Sequence, residues 1–522
     1  MVQKKRNSFC SSFPAFMGRN IFKTFARNFL EVWYTVFNLL PHERSRRHFE
    51  YEMKHEDLKY LAVALPEDIL KEKWSGHFDR VREIIARRLA GELTYDMRCR
   101  LELELTNLEH LEKCYNRTEA EALAMVQERI PSFTAEELDE LRLENKVDFI
   151  YLNGEVRYLR SFCSTLFKVY PEMEEREARE KGDAYEKQAA RAEEVEAVDQ
   201  LVENLVDGQE TSAHIHIRQK VWINEDALEE GKPVRIHVPL PVERQQMKNV
   251  KVISVTPQPK AMPSLEDGHP VAYFEEKAKA GQVFSVEYSL DHVTHFVDLS
   301  WEAIEKLGEE KGDIPAEEAQ YLCEQLAHIQ FTPYLRGLAE SLKDPSGDLL
   351  KTARRIYDYV TTKVTYRFVR DYAAIDNLSE YCAVNLRGDC GIQALLFITL
   401  CRICGIPARW QSGLDTKPGS LGQHDWALFY LPSKGWLGAD LSYGGSAYKK
   451  GKMKRWDYFF GNVDPFRVPI NDSFQAEMVP VKKFPREDPC DNQCGELEYE
   501  DRGLYGSDWG CDYEEIDIHR IK

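Results

Sequence analysis

The 522-residue chain has no run of apolar residues long enough for a helix to cross a bilayer, which takes about 18 or more. No membrane-spanning helix is therefore expected. Clustered positive charge is also lacking. Lys and Arg number 69 against 88 Asp and Glu, a formal net charge of −19. Neutralising a phosphate backbone needs the reverse balance, so no nucleic-acid partner is expected. The 12 cysteines recur at no fixed spacing. That pattern builds no disulfide framework and reads as mostly reduced thiols. A secretory leader is absent as well: Lys4, Lys5 and Arg6 would begin one, but Arg19, Lys23 and Arg27 break what should be its apolar stretch. These absences together point to a cytoplasmic protein.

Against this background the chain reads as several domains, since its length exceeds what one core supports. Residues 1–54 are a basic, aromatic-rich leader. Within it, over 20–40, Phe22, Phe25, Phe29, Trp33, Val36 and Leu40 share one helical face. Such a helix docks on the protein's own core or, as the alternative, lies on an anionic membrane surface. Residues 55–170 are mainly helical, with a Thr134/Glu137 capping box and an Asn153-Gly154 hairpin turn. Residues 171–212 form a charged helical linker. From 213 to 298, short alternating runs such as Ile215/Ile217 and Val234/Ile236/Val238, separated by turn signals, indicate a small antiparallel β-sandwich. Residues 302–475 mix helical periodicity with strands, an α+β domain, and 476–522 read as an acidic, partly irregular tail.

The chemistry concentrates in 302–475. Arg387-Gly388-Asp389-Cys390-Gly391 is a turn feeding a helix that is apolar nearly all round, through Leu395, Leu396, Phe397, Ile398, Leu400 and Ile403. Such a helix belongs inside a domain. Cys390 then sits at its N-terminus, where unpaired N–H groups and the helix dipole favour a thiolate. A proton shuttle near neutral pH calls for histidine, and His424 lies on a strand shared with Trp426, Leu428 and Tyr430. A turn at Leu431–Gly435 and a return strand from Trp436 bring Asp440 opposite His424, within a residue or two of register. Asp440 would then orient the imidazole, as a third catalytic member does. Alternation sends Asp425 to the other face of the strand from His424.

Gly388-Asp389-Cys390-Gly391, Cys404-Gly405-Ile406-Pro407-Ala408-Arg409, His424-Asp425-Trp426, Gly435-Trp436 and Asp440 together resemble the core of the bacterial transglutaminase-like superfamily. The resemblance is strong over about 350–470, and the β-rich stretch containing Val238-Pro239-Leu240-Pro241 resembles the sandwich that often precedes such cores. It implies a papain-like fold, with Cys390, His424 and Asp440 as the catalytic triad. It also implies a thioester intermediate, a protein or peptide substrate, and no cofactor or metal. The activities it allows are transamidation, deamidation and peptide hydrolysis, and some members of the superfamily have none. Asp425 stands where Ala or Cys is common, and the upstream tryptophan that animal members use as an oxyanion donor has no counterpart between 302 and 390. The Cys390 N–H is one expected donor and Tyr366 a second candidate. Acyl transfer is the favoured expectation. A cysteine peptidase and a non-catalytic binding module are the alternatives, while the hairpin context fits an arylamine acetyltransferase less well.

Other signals carry less. Cys401 and Cys404 have redox spacing but lie at the end of a buried helix, so they read as core. Cys490, Cys494, Cys511 and His519 are irregularly spaced for zinc. Residues 461–467 read as a turn closing the domain, with lining of the substrate cleft as the alternative. Trp410, Trp426 and Trp436 read equally as cleft walls or core.

Overall fold

The computed structural model describes residues 55–182, 199–203, 205–243 and 246–521. The leader with its 20–40 stretch, and most of the charged linker, lie outside the described residues. Among these residues no helix is long and apolar enough to cross a membrane.

The first region is helical from Glu67–Trp74 through Pro171–Lys181, interrupted by the hairpin of β1 (Phe149–Leu152) and β2 (Glu155–Tyr158). Its turn uses Asn153 and Gly154, both at positive φ (48° and 92°), the twist a two-residue hairpin needs. The Thr134 side chain accepts from the Glu137 N–H, and the Glu137 carboxylate accepts from the Thr134 N–H at 2.9 Å. Leu101, Leu108, Val126, Phe162 and Leu166 form the core of this region. The buried Arg100 and the partly exposed Arg160 grip the segment leading to Cys390, through Arg100 to Asp376 (2.8 Å) and Arg160 to Asp371 (2.7 Å).

The β-sandwich is built from two four-stranded antiparallel sheets. Its own stretch supplies β3 (Glu210–Ile223), β4 (Pro233–Pro239), β5 (Met247–Thr256), β6 (Val271–Lys277) and β7 (Val283–His295). These five do not complete it. The acidic C-terminal segment, expected to be partly irregular, is irregular over 476–495, but its remainder adds three further strands after the α+β domain. Composition misses the alternation that lets an acidic strand bury one face and pair its charges on the other. Glu514, for example, meets Arg218 (3.0 Å) and Lys220 across the ladder.

Between β7 and the C-terminal strands, in sequence, lies an α+β core. A short parallel pair joins β8 (Thr365–Tyr366) to β9 (Arg387–Gly388). A five-stranded antiparallel sheet then forms from β10 (Ala408–Lys417), β11 (Ser420–Leu431), β12 (Gly435–Ala439), β13 (Phe460–Gly461) and β14 (Arg467–Asn471), in the order β13-β12-β11-β10-β14. One face of β11 (Ala427, Phe429, Leu431) packs on the buried helix Cys390–Ile403, with Phe397 and Phe429 ring centroids 5.8 Å apart. The closing strands are β15 (Glu496–Tyr499), β16 (Gly503–Leu504) and β17 (Trp509–Ile521). β15 pairs with β4, and β17 runs antiparallel to β3 from Trp509↔Ile223 to Ile521↔Ser212.

Candidate active site

Asp389 caps the cysteine helix, accepting from the Ile392 N–H at 3.2 Å and from the Tyr372 hydroxyl at 2.6 Å. Cys390 is therefore the first helical residue, as its position in the sequence suggests. The next residue has to be glycine, since a Cβ at Gly391 would lie 2.3 Å from the Tyr372 hydroxyl and 2.7 Å from Asp425 Oδ2. That close approach seats the thiol against β11. The parallel β8–β9 pair sets Tyr366 beside Gly388, two residues before Cys390.

The thiol does not meet the residue expected. Cys390 Sγ donates to Asp425 Oδ2 at 3.3 Å, and the Asp425 backbone N–H also points at the sulfur. Asp425 does take the opposite face of β11 from His424, but that face is the one the cysteine helix covers. Its other carboxylate oxygen accepts from Gln493 Nε2 at 2.7 Å, and the same amide reaches the His424 carbonyl at 2.9 Å.

These neighbours reverse the expected electrostatics. Burial, then the charges of Asp425 and Asp389, push the Cys390 thiol well above its ordinary range. Asp425 is itself held well above the usual carboxylate range by burial and by Asp389 and Asp488. Asp389 is raised by burial to about 6. Tyr366, raised by burial and by Cys390 and Asp389, stays protonated and able to donate.

His424 and Asp440 meet as the sequence suggests, by a different route. The β11–β12 register is Ala427↔Ala439 to Leu431↔Gly435, so Asp440 lies past the end of β12, in line with Trp426 rather than His424. As N-cap of the helix Leu441–Lys449, it accepts from the Tyr443 N–H at 2.9 Å and holds His424 Nε2 at 2.7 Å. Nδ1 is thereby left as the ring's basic nitrogen. Arg467, fully buried, contacts the same Asp440 oxygen at 3.0 Å and pairs with Asp464 at 2.8 Å. Burial works to raise the Asp440 pKa, but His424 and Arg467 outweigh it, and the carboxyl is lowered. Tyr443 stands edge-on to the imidazole at 4.8 Å.

The site thus comprises two hydrogen-bonded pairs, Cys390–Asp425 and His424–Asp440. Among the described residues no hydrogen bond joins Cys390 to His424.

All three sequence-predicted residues fall in one matched stretch, since residues 336–441 match the family model described as the transglutaminase-like superfamily. The chain carries a transglutaminase-like core. The fold is mixed helix and sheet around that core. Similar solved structures include a candidate cysteine protease from Cytophaga hutchinsonii, 14% identical with a TM-score of 0.37, covering 60% of this chain and 90% of that one. The periplasmic domain of TgpA from Pseudomonas aeruginosa is also 14% identical, with a TM-score of 0.27, covering 49% and 94%. No curated protein matches the chain.

Around the transglutaminase-like core, sequence reasoning missed Tyr372, Arg467 and Gln493. The Asp464/Arg467 spacing is visible in the sequence, but neither their burial nor the contact with Asp440 is. Gln493 lies in the segment read as a tail and carries no signal. Trp410 and Trp426 are core, with Trp426 Nε1 donating to Gln411 at 2.8 Å, whereas Trp436 is half-buried and donates to Glu318 at 3.0 Å. Cys401 is buried. Among the described residues no three His, Cys, Asp or Glu side chains gather around a metal position.

Proposed function

We propose that the protein is a cysteine acyl enzyme acting on protein or peptide amides, with acyl transfer or deamidation as its reaction. The observation carrying this is Cys390 at the N-terminus of a buried helix, inside the matched core that also contains a histidine anchored by a buried carboxylate at 2.7 Å. Cys390 gives its proton to His424 and its sulfur attacks the amide carbonyl. The Cys390 N–H and the Tyr366 hydroxyl stabilise the oxyanion. The C–N bond then breaks as His424, held by Asp440, gives a proton to the departing amine. A second amine or water attacks the thioester, and the thiol is regenerated.

A second reading concerns the first proton alone. Asp425, at 3.3 Å from the sulfur, is its immediate partner, so Asp425 receives the thiol proton while His424 serves the leaving group.

The test is incubation of a glutamine-containing casein with a labelled primary amine, with Cys390→Ala as control. Cys390-dependent incorporation is the expected result. Cleavage without incorporation over a range of amine concentrations would establish a peptidase, and neither product would overturn the enzymatic reading.

A further inference from the structure

Where the last strand joins the sandwich, two thiols outside the proposed catalysis face each other. Cys494 lies just before β15, and Cys511 lies on β17 opposite Val221 of β3. Three observations bring them together. The buried Gln219 side chain spans both, its Nε2 donating to the Cys494 carbonyl and lying 3.8 Å from Cys511 Sγ. The Tyr513 hydroxyl lies 3.8 Å from Cys494 Sγ and 3.0 Å from the Gln493 carbonyl. Gly495, at φ 148°, presses against Val221, whose Cγ2 is 3.4 Å from where its Cβ would be.

We propose that Cys494 and Cys511 form a reversible disulfide on exposure to a low-molecular-weight disulfide oxidant. The Gln219 amide, donating to Cys511 Sγ at 3.8 Å, favours Cys511 as the attacking thiolate. Its sulfur displaces one half of the oxidant, which leaves as a thiol with the Cys511 proton. Cys494, giving up its own proton, then attacks the Cys511 sulfur of the mixed disulfide and releases the second half as a thiol. Two electrons and two protons pass to the oxidant, and one S–S bond forms in the protein.

The disulfide stands independently of the catalytic reading, and its consequence for the site rests on that reading. Gln493, the neighbour of Cys494, holds the His424 carbonyl and the Asp425 carboxylate, and Gln423 Nε2 reaches Cys494 Sγ. Oxidation therefore ties the strand carrying His424 to the last strand of the sandwich.

The test treats the full chain with oxidised glutathione, blocks remaining thiols with N-ethylmaleimide and maps a non-reducing digest by mass spectrometry. A Cys494–Cys511 cross-linked peptide, lighter by two hydrogens than its separate halves, is expected in the wild type and equally in Cys390→Ala, and is lost on reduction with dithiothreitol. In Cys494→Ser it gives way to a Cys511–glutathione adduct. The exposed Cys323 reports that the reagent has reached accessible thiols. Modification of Cys323 with Cys494 and Cys511 both free, or pairing of either with another cysteine, would overturn the proposal. The labelled-amine assay decides the catalytic reading separately.

Discussion

At the scale of single residues, burial and then two carboxylates set how the thiol behaves. Burial, Asp425 and Asp389 all raise the Cys390 thiol, so its alkylation by iodoacetamide should keep accelerating as pH rises above neutral rather than level off below it. Asp425→Asn removes the nearer charge and should shift that profile to lower pH, a change read from alkylation rates by peptide mapping. An unmoved profile would mean that Asp425 does not act on the sulfur. Asp440→Asn permits the wrong imidazole tautomer and should cost about 10³–10⁴ in turnover while the fold persists, because Asp464 still neutralises Arg467. Arg467→Leu is different in kind. It leaves Asp440 and Asp464 buried without their cation, a loss of about 3–5 kcal/mol in denaturant unfolding. Both carboxyls have lowered pKa values, Asp464 to about 2. Their contribution is therefore complete above the unfolded value of about 4 and fades only as pH falls towards 2.

At the scale of elements, segment 487–491 is tuned the other way. Glu487 is raised to about 7 by burial and by Asp371 and Glu496, and Asp491 to about 7 by burial and by Asp425. The opposing contacts are the Gly506 N–H and the Trp509 indole on Glu487, and Ser412 and Arg486 on Asp491. The unfolded chain gives up these protons near pH 4, whereas the folded one keeps them to about 7, so stability falls as pH rises between those values and then levels off. Hydrogen exchange over 487–495, corrected for intrinsic rate, should be faster at pH 8 than at pH 5. Asp491→Asn should flatten the difference. The cysteine helix and β11 illustrate how far periodicity reads at this scale. Apolar residues on every side place 390–403 inside the domain. The two-residue alternation assigns His424 and Asp425 to opposite faces, but it does not say which face the helix will cover.

At the scale of the whole molecule, the C-terminal segment closes the sandwich that begins at β3. Ending the chain at residue 475 would uncover the β3 edge and remove β15, along with the apolar Leu497 and Tyr499. Such a truncation should lose the cooperative thermal transition of the full chain and bind a hydrophobic dye. A folded, dye-negative truncation would show the segment to be dispensable. The sequence alone determined the local and periodic facts: a helical first region, a β-rich middle, a buried helix starting at Cys390, and the hairpin that brings Asp440 to His424. These depend on spacings of two, three or four residues, so neighbours in sequence carry them. Tertiary structure alone decided the pairing of β17 with β3 across nearly 300 residues of chain, about 290 between Trp509 and Ile223. It also decided the Arg467 contact with Asp440, the Gln493 clamp, and the choice of Asp425 as the partner of the thiol. Each is set by how packed layers meet, and the free energy of that meeting comes from burying faces far apart in the sequence, which no local pattern records.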